Sequence, residues 1–250
     1  MSIVRLSDVG KVYSNGTVAL DGVSLEVRAG EFLSLVGPSG CGKSTVLRLI
    51  AGLSQLSRGR IEWPEAGGAA DQRLGFVFQE PTLMPWATVA ANVFLPLRLK
   101  GVSREAAAPR IAAALARVGL EGFADAYPRE LSGGMKMRVS IARALITEPS
   151  LLLMDEPFAA LDEITRFKLN NDLLGLWQEQ RWTVIFVTHS VYESVYLSSR
   201  IAVMAARPGR VVADLPVDAP YPRDETFRTS AAYNGFCRSV SAALQRAMAA

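Results

Sequence analysis

A glycine-rich loop between an apolar run and an amphipathic stretch constrains the fold more than any other segment. It consists of Gly37, Pro38, Ser39, Gly40, Cys41, Gly42, Lys43, Ser44 and Thr45. The spacing fits the pattern G-x-x-x-x-G-K-[ST], which cradles phosphate groups when it follows a strand and opens a helix. The apolar run at residues 32 to 36 predicts that strand. The helix is predicted from the spacing of Val46, Leu49, Ile50 and Leu53.

The residue types in this loop suit the polyphosphate of ATP. Its glycines let the backbone turn tightly enough to aim several N–H groups at phosphate oxygens. Lys43 is predicted to reach the β- and γ-phosphates, and the hydroxyl of Ser44 to ligate Mg²⁺. Cys41 is interpreted as a small filler rather than a redox group. We therefore predict ATP and Mg²⁺ as ligands of residues 37 to 45.

Two acids, Asp155 and Glu156, end a second apolar run at residues 151 to 154. A buried parallel strand delivers its last side chains to the carboxyl edge of the sheet, where ligands of open α/β folds bind. Asp155 is predicted to join the Mg²⁺ shell, and Glu156 to polarise the attacking water.

The remaining patterns predict an α/β core with a mostly parallel sheet. Further apolar runs at 74–78 and 184–187 lack alternation with polar residues, which is typical of parallel strands covered on both faces. Helical stripes lie between the runs and indicate alternating strands and helices. These stripes are Met135, Val139, Ala142 and Ile146, and Leu169, Leu173, Leu176 and Trp177.

Three other regions are predicted to surround this core. Residues 88 to 126 are rich in Ala and Leu and predict an inserted helical lobe, in which Pro109 begins or kinks a helix. Residues 207 to 250 contain turn signals followed by an Ala-rich helix. The N-terminal third predicts a β-rich lobe with turns at Gly30, Gly59, Pro64, Gly67 and Gly68.

The amino-acid composition indicates a cellular compartment but does not identify the partners of the chain. The chain has 27 basic and 24 acidic residues, a balance that leaves nucleic acid and membrane partners open. Its cysteines, Cys41 and Cys237, favour a reducing compartment. No apolar run approaches the roughly 18–20 residues that cross a bilayer, and no signal-peptide pattern opens the sequence. We expect a cytoplasmic subunit whose membrane role comes through a partner.

A fourth motif precedes the helix that leads into the carboxylate strand: Leu131, Ser132, Gly133, Gly134 and Met135. It resembles the LSGGQ signature of ABC-type ATPases, and the similarity spans about residues 3 to 207 with the motifs in the family's order. Tyr13 resembles the residue that stacks on adenine, and Gln79 the Q-loop glutamine, which the resemblance implies is both a catalytic residue and a further Mg²⁺ ligand. Asp162 resembles the D-loop aspartate, although it could simply cap a helix near residue 164. His189 resembles the switch histidine that bonds the γ-phosphate.

The resemblance implies a RecA-like P-loop NTPase core with an N-terminal antiparallel β lobe. Residues 1 to 210 would form the ATPase domain, with a helical insertion at about 88 to 140, and residues 211 to 250 an extension packed on the core. The family places the Ser132-Gly133-Gly134 turn on a γ-phosphate held by a second copy of the chain, so that two copies sandwich ATP. Met135, Ala159 and Ser190 depart from the family's usual Gln, Ser and Asp, but no phosphate ligand is lost.

Residues 76 to 89 resemble the subfamily of nitrate, sulfonate, taurine, bicarbonate and pyrimidine-precursor importers, and residues 135–138 and 205–210 agree with it. The family docks a short helix of its membrane permease beside Gln79 to Trp86. Exposed Leu83, Met84, Pro85 and Trp86 would suit such a socket, or would pack the two lobes together. The resemblance implies a peripheral subunit at the cytoplasmic face of the inner membrane, served indirectly by a periplasmic or extracellular solute-binding protein, with no nucleic-acid partner.

Two other classes of function compete with this interpretation. A non-transport ABC ATPase acting on DNA or the ribosome would usually carry a long coiled-coil insertion or two ATPase domains. DNA binding would also require a basic, salt-dependent face. A small-molecule kinase would share the phosphate loop but has no use for the Ser132-Gly133-Gly134 turn. The transported solute cannot be deduced from the sequence.

Overall fold

The computed structural model describes residues 1–64 and 73–249, so the turn predicted at Gly67 and Gly68 lies outside the described residues. The strands are β1 (Ser2–Val12), β2 (Val18–Arg28), β3 (Phe32–Val36), β4 (Arg58–Glu62), β5 (Leu74–Val77), β6 (Leu151–Asp155), β7 (Thr183–Thr188), β8 (Arg200–Ala205) and β9 (Arg210–Pro216). The helices are α1 (Lys43–Ile50), α2 (Val89–Leu99), α3 (Arg104–Arg117), α4 (Gly133–Leu145), α5 (Glu163–Gln180), α6 (Val191–Leu197), α7 (Glu225–Thr229) and α8 (Ala231–Ala249).

The main sheet has the strand order β5-β6-β7-β3-β8-β9. Its strands from β5 to β8 run parallel, and β9 is antiparallel to β8. The predicted α/β class and mostly parallel sheet are therefore confirmed. Since β3 and β6 are separated only by β7, the phosphate loop after β3 and the acids after β6 open at the same edge of the sheet.

The central strands β3, β6 and β7 are buried on both faces of the main sheet, which explains why they lack polar alternation. In β6, for example, Leu152 and Met154 face one hydrophobic cluster, whereas Leu151 and Leu153 face another. The first cluster joins the sheet to helices α2 to α6 and α8. The second joins it to β1, β2 and α1.

The N-terminal lobe is an antiparallel sheet in the order β2-β1-β4, which confirms the predicted β-rich lobe. Helices α2, α3 and α4 lie in the chain between β5 and β6. The side chain of Thr88 caps α2 by accepting from the backbone N–H of Ala91 at 3.2 Å. Among the described residues, no helix is both long and apolar enough to span a membrane.

Helix α1 ends earlier than the apolar spacing predicts. Gly52 has a φ of 69°, and its N–H bonds the carbonyl of Leu49, while the N–H of Leu53 bonds the carbonyl of Arg48. These two bonds form a Schellman motif, which stops a helix at a glycine in the left-handed conformation. The prediction that Leu53 continues the buried stripe is therefore wrong: its side chain is 61% exposed.

Helix α3 begins at Arg104, where Ser103 caps it, and continues through Pro109 to Arg117. The prediction that Pro109 begins a helix is therefore wrong, and the alternative of a kink there stays a prediction. Pro109 lies on the exposed side of α3. The carbonyl that loses its helical partner to the proline can bond water at such a position.

The C-terminal residues pack on the core through α8, which contacts β8 and α6. Strand β9 crosses the boundary predicted between residues 210 and 211, so the first residues of the extension belong to the main sheet. The division of the chain into an ATPase domain and an extension otherwise stays a prediction.

Candidate functional site: a phosphate loop facing two carboxylates

The glycine-rich loop connects β3 to α1 and needs glycine at specific places. Gly42 is the N-cap of α1 with a φ of 93°, a left-handed conformation that side chains disfavour. A Cβ on Gly42 would lie 2.5 Å from Leu20 Cδ2 and 3.0 Å from the Ala19 carbonyl oxygen. Gly40 also has a positive φ, of 77°, but a Cβ there would meet nothing within 4 Å.

These two glycines give a matched pair of substitutions. We expect Gly40→Ala to lower the free energy of unfolding by about 1 kcal/mol, because only the backbone conformation is penalised. Gly42→Ala should cost about 3 kcal/mol, since the steric clash adds to that penalty. Denaturant unfolding of both variants measures the difference. Equal losses would show that the contact with Leu20 does not constrain the loop.

Lys43 points into the loop that precedes it. Its ammonium group donates hydrogen bonds to the carbonyls of Gly37 at 2.9 Å and Pro38 at 3.2 Å. It also lies 3.8 Å from Glu156 Oε1. The side chain is only 5% exposed, so this positive charge is held in the concave side of the loop. A cation in that position is suited to bind an anionic phosphate.

Ser44 and Asp155, both predicted Mg²⁺ ligands, lie together. Ser44 Oγ donates to Asp155 Oδ1 at 2.7 Å. Burial raises the pKa of the Asp155 carboxyl, the Ser44 hydrogen bond lowers it, and the charge of Glu156 raises it again. A buried carboxylate beside a hydroxyl offers the hard oxygen ligands that Mg²⁺ prefers, and a cation would offset its cost of burial. The residues present therefore fit a magnesium ion.

Glu156 and His189 meet at the carboxyl edge of the sheet. His189 Nδ1 lies 3.3 Å from Glu156 Oε2. Glu156 has a φ of 45°, uncommon for a residue with a side chain, and its N–H bonds the carbonyl of Val187 in the neighbouring strand. Such conformations occur where the surrounding structure holds them, often at functional sites. The arrangement directs a partly buried carboxylate toward both Lys43 and His189.

A cavity of about 410 Å³ opens beside the loop. Tyr13 lines it and shares a 3.2 Å hydrogen bond with Thr45, while its stacking on adenine stays a prediction. Arg207 also lines the cavity, in a left-handed conformation with a φ of 59°. No motif in the sequence predicts a role for Arg207. Its only signal was its place within the segment 205–210 that resembles the importer subfamily.

Cys41 lies inside the loop but is fully buried, and burial raises the pKa of its thiol. A thiol in this state is unreactive. Both features agree with its interpretation as a filler.

The Ser132-Gly133-Gly134 turn opens α4. Ser132 is the N-cap, accepting from the backbone N–H of Met135 at 3.3 Å, and is exposed. A Cβ on Gly134 would lie 2.7 Å from Thr165 Cγ2, so the turn packs tightly on the start of α5. Asp162 caps α5 by accepting from the N–H of Thr165, which confirms the capping alternative. In the described part of the chain, the residues lining the phosphate-loop cavity include none from this turn.

Gln79 follows β5 and is exposed, and its side chain forms no hydrogen bond within the described residues. Two side chains for which the sequence predicts no role hydrogen-bond the backbone of the segment that follows it, residues 81 to 84. Arg143 of α4 donates to the carbonyls of Pro81 and Thr82, both at 2.8 Å. Buried Asn92 of α2 accepts from the N–H of Met84 at 2.7 Å and donates to three carbonyls.

The prediction that residues 83 to 86 are all exposed is partly wrong. Leu83 packs against the core. Met84 is half-buried, because its backbone N–H bonds the buried side chain of Asn92. Pro85 and Trp86 are exposed, and the Trp86 side chain is 77% exposed.

Comparison with known proteins is consistent with this geometry. The family profile described as ABC transporter matches residues 20–159. An uncharacterized ABC transporter ATP-binding protein of Methanocaldococcus jannaschii is 49% identical over 90% of this chain and 85% of its own length. The aliphatic sulfonates import ATP-binding protein SsuB of Bacillus licheniformis is 49% identical over 84% of this chain and 82% of its own.

Two solved structures share the fold. The dimeric ABC transporter cassette MJ0796 superposes with a TM-score of 0.76 and 35% identity, covering 87% of this chain and all of that one. Clostridium perfringens cbiO1, part of the ABC transporter complex cbiONQ, superposes with a TM-score of 0.79 and 28% sequence identity. The superposition covers 98% of this chain and 96% of cbiO1. The MJ0796 cassette is also known in a post-hydrolysis state with ADP and Pi. The chain therefore belongs to the ABC transporter family, as one of its ATP-binding and ATP-hydrolysing subunits.

Proposed function

We propose that this subunit powers the import of a small solute and that Glu156 is the general base for ATP hydrolysis. The observation that carries the proposal is the convergence of Lys43, Glu156 and His189 beside one cavity. Lys43 is proposed to bind the β- and γ-phosphates, and its ammonium group lies 3.8 Å from Glu156 Oε1. Glu156 is placed to accept a proton from the attacking water, and His189 to orient that water and bond the γ-phosphate.

Ser44 and Asp155 would hold Mg²⁺, with Gln79 completing the shell once nucleotide is bound. When bound, the ion supplies positive charge that stabilises the transition state of phosphoryl transfer. The loop N–H groups of residues 37 to 45 and the N-terminus of α1 would bind the phosphates, while Tyr13 stacks on adenine.

The working unit is proposed to be a head-to-tail pair of this chain. Ser132 and Gly133 are exposed at a helix N-terminus, where a hydroxyl and free N–H groups suit an anion. Because they do not line the cavity of their own chain, a second copy is the natural source of the phosphate they bind. Asp162, at the start of the neighbouring helix, would lie at the same interface. ATP would then hold the pair closed until hydrolysis.

The permease is proposed to dock between the main sheet and the helical lobe. A groove of about 340 Å³ lies there, lined by apolar residues that include Phe76, Phe78 and Leu99. Trp86 ends the segment held by Arg143 and Asn92 and is exposed, and an exposed aromatic side chain is typical of an interface anchor. This docking would keep the subunit at the cytoplasmic face of the inner membrane.

Substitution of this anchor tests the docking site. We expect Trp86→Ala to weaken binding to permease-containing vesicles by about 30-fold, as removal of an aromatic hot spot does. ATP hydrolysis by the isolated subunit should be unchanged. Met248→Ala is the matched control, since Met248 is 71% exposed at the far end of α8. Equal binding by both variants would place the permease elsewhere.

The solute class is proposed from the SsuB relatives, which are named for aliphatic sulfonate import. Reconstitution with the permease and a solute-binding protein tests this against sulfonates, taurine, nitrate, bicarbonate and pyrimidine precursors. We expect one of these solutes to stimulate ATP hydrolysis. A subunit that copurifies with no permease and retains DNA would instead favour the non-transport alternative.

A further inference from the structure

Two charged residues that do not line the phosphate-loop cavity, Arg166 and Glu193, connect the loop at residues 159–162 with the residues around His189. Arg166, in α5, donates from Nη2 to the carbonyl of Leu161 at 2.9 Å. Its Nε lies 3.7 Å from Glu193 Oε1, in α6. The guanidinium therefore spans from the loop at residues 159–162, which contains Asp162, to the helix that follows His189.

Glu193 in turn fixes the residues adjacent to His189. Thr188 Oγ1 donates to Glu193 Oε2 at 2.5 Å and accepts from the N–H of Ser190 at 3.0 Å. The N–H of Glu193 donates to Ser190 Oγ at 3.3 Å. Both neighbours of His189 in the chain are thus hydrogen-bonded within one network, which contains the Glu193 carboxylate through Thr188 and the Glu193 N–H through Ser190.

Burial makes this network sensitive to the position of Arg166. Glu193 is only 7% exposed, and its Oε1 has no hydrogen-bond partner among the described residues. An ionised carboxylate in such a place needs a nearby positive charge, and Arg166 is the one with which it forms an ion pair. A shift of the loop at 159–162 would move Arg166 and leave this carboxylate without its counter-charge.

We infer that Arg166 and Glu193 are positioning residues that hold His189 against Glu156 and make its position depend on the loop containing Asp162. This inference rests on the roles proposed for Glu156 and His189. Neither Arg166 nor Glu193 is assigned contact with the nucleotide. Their substitution should therefore affect the geometry of hydrolysis more than the affinity for ATP.

The chain contains a single histidine, so NMR of its imidazole reports on His189 alone. We expect Arg166→Gln and Glu193→Gln each to shift the His189 Cε1–H resonance. Arg110→Gln is the matched control, because Arg110 also donates to a carbonyl, that of Ile146, and lies 4.0 Å from Glu148. It should leave the resonance in place.

An unshifted resonance in folded Arg166→Gln protein would overturn the inference. If thermal unfolding shows that this variant does not fold, Arg166→Lys replaces it. Lysine keeps the charge but has a single nitrogen, which cannot reproduce both contacts of the guanidinium, so a shift is again expected. An unshifted resonance would be equally decisive there.

Kinetics separate a positioning role from a purely structural one. We expect Glu193→Gln to lower kcat by about 10- to 100-fold with KM within about threefold of wild type. In a His189→Ala background the same substitution should change kcat less than about twofold, because both act through one group. Equal losses in the two backgrounds would overturn the inference. If His189→Ala itself keeps the wild-type rate, the role proposed for His189 fails, and the NMR comparison still decides the coupling.

Discussion

Glu156→Gln should lower kcat for ATP hydrolysis by about 10²- to 10⁴-fold, the contribution typical of a general base. ATP affinity should be retained, because the amide keeps the size of the side chain and Lys43 remains in the loop. The variant should accumulate as an ATP-bound dimer. Phosphate release and equilibrium nucleotide binding measure the two effects separately.

Glu148→Gln is the matched control for this substitution. Glu148, like Glu156, is a glutamate in the left-handed conformation, with a φ of 52°, but its side chain is 66% exposed and forms surface ion pairs with Arg73 and Arg110. The control should hydrolyse ATP at the wild-type rate. Near-normal turnover by Glu156→Gln would remove Glu156 from the role of base.

Lys43→Ala should instead abolish tight nucleotide binding. Each charge-assisted hydrogen bond contributes about 1.5–3 kcal/mol, so losing contacts to two phosphates corresponds to a rise in Kd of about 100-fold or more. The buried ammonium now bonds the Gly37 and Pro38 carbonyls, which places it where those phosphates are proposed to bind.

Calorimetric titration with ATP measures the change in Kd. Lys100→Ala, at the exposed end of α2, is the control and should bind ATP normally. An unaltered Kd for ATP in Lys43→Ala would mean that this side chain does not contribute to binding the triphosphate.

The central strands and the phosphate loop could be predicted because their signals are local. Residues 32–36 and 151–154 are continuous apolar runs, since both faces of β3 and β6 are buried. Because these two strands run parallel, the residues that follow each of them lie at the same edge of the sheet. The meeting of Ser44 with Asp155 therefore followed from two motifs and the topology of a parallel sheet.

Where the sequence misled, a specific competing interaction decided the outcome. The Schellman motif at Gly52 ended α1 before Leu53, although the apolar spacing continued. Ser103 started α3 ahead of Pro109, which the exposed side of a helix tolerates. The buried amide of Asn92 drew Met84 inward.

Other features could not be predicted because they join distant parts of the chain. Arg143 is 61 residues from Thr82, and the Arg166–Glu193 pair spans two helices separated by a strand. Arg207 lines the phosphate-loop cavity from the turn between β8 and β9, where Gly209 also bonds the backbone of Ala19 and Asp21. No periodicity or spacing in the sequence predicts such contacts, since they depend on how the helices and strands pack against one another.

ATP hydrolysis by this subunit is proposed to require that two copies of the chain exchange their Ser132-Gly133-Gly134 turns. The direct measurement is a crystal structure of the Glu156→Gln variant with ATP and Mg²⁺. We expect Ser132 Oγ and the adjacent N–H groups of one copy to lie within hydrogen-bond distance of the γ-phosphate held by the loop of the other. A structure in which these turns face away from bound nucleotide in every pair of molecules would contradict the account.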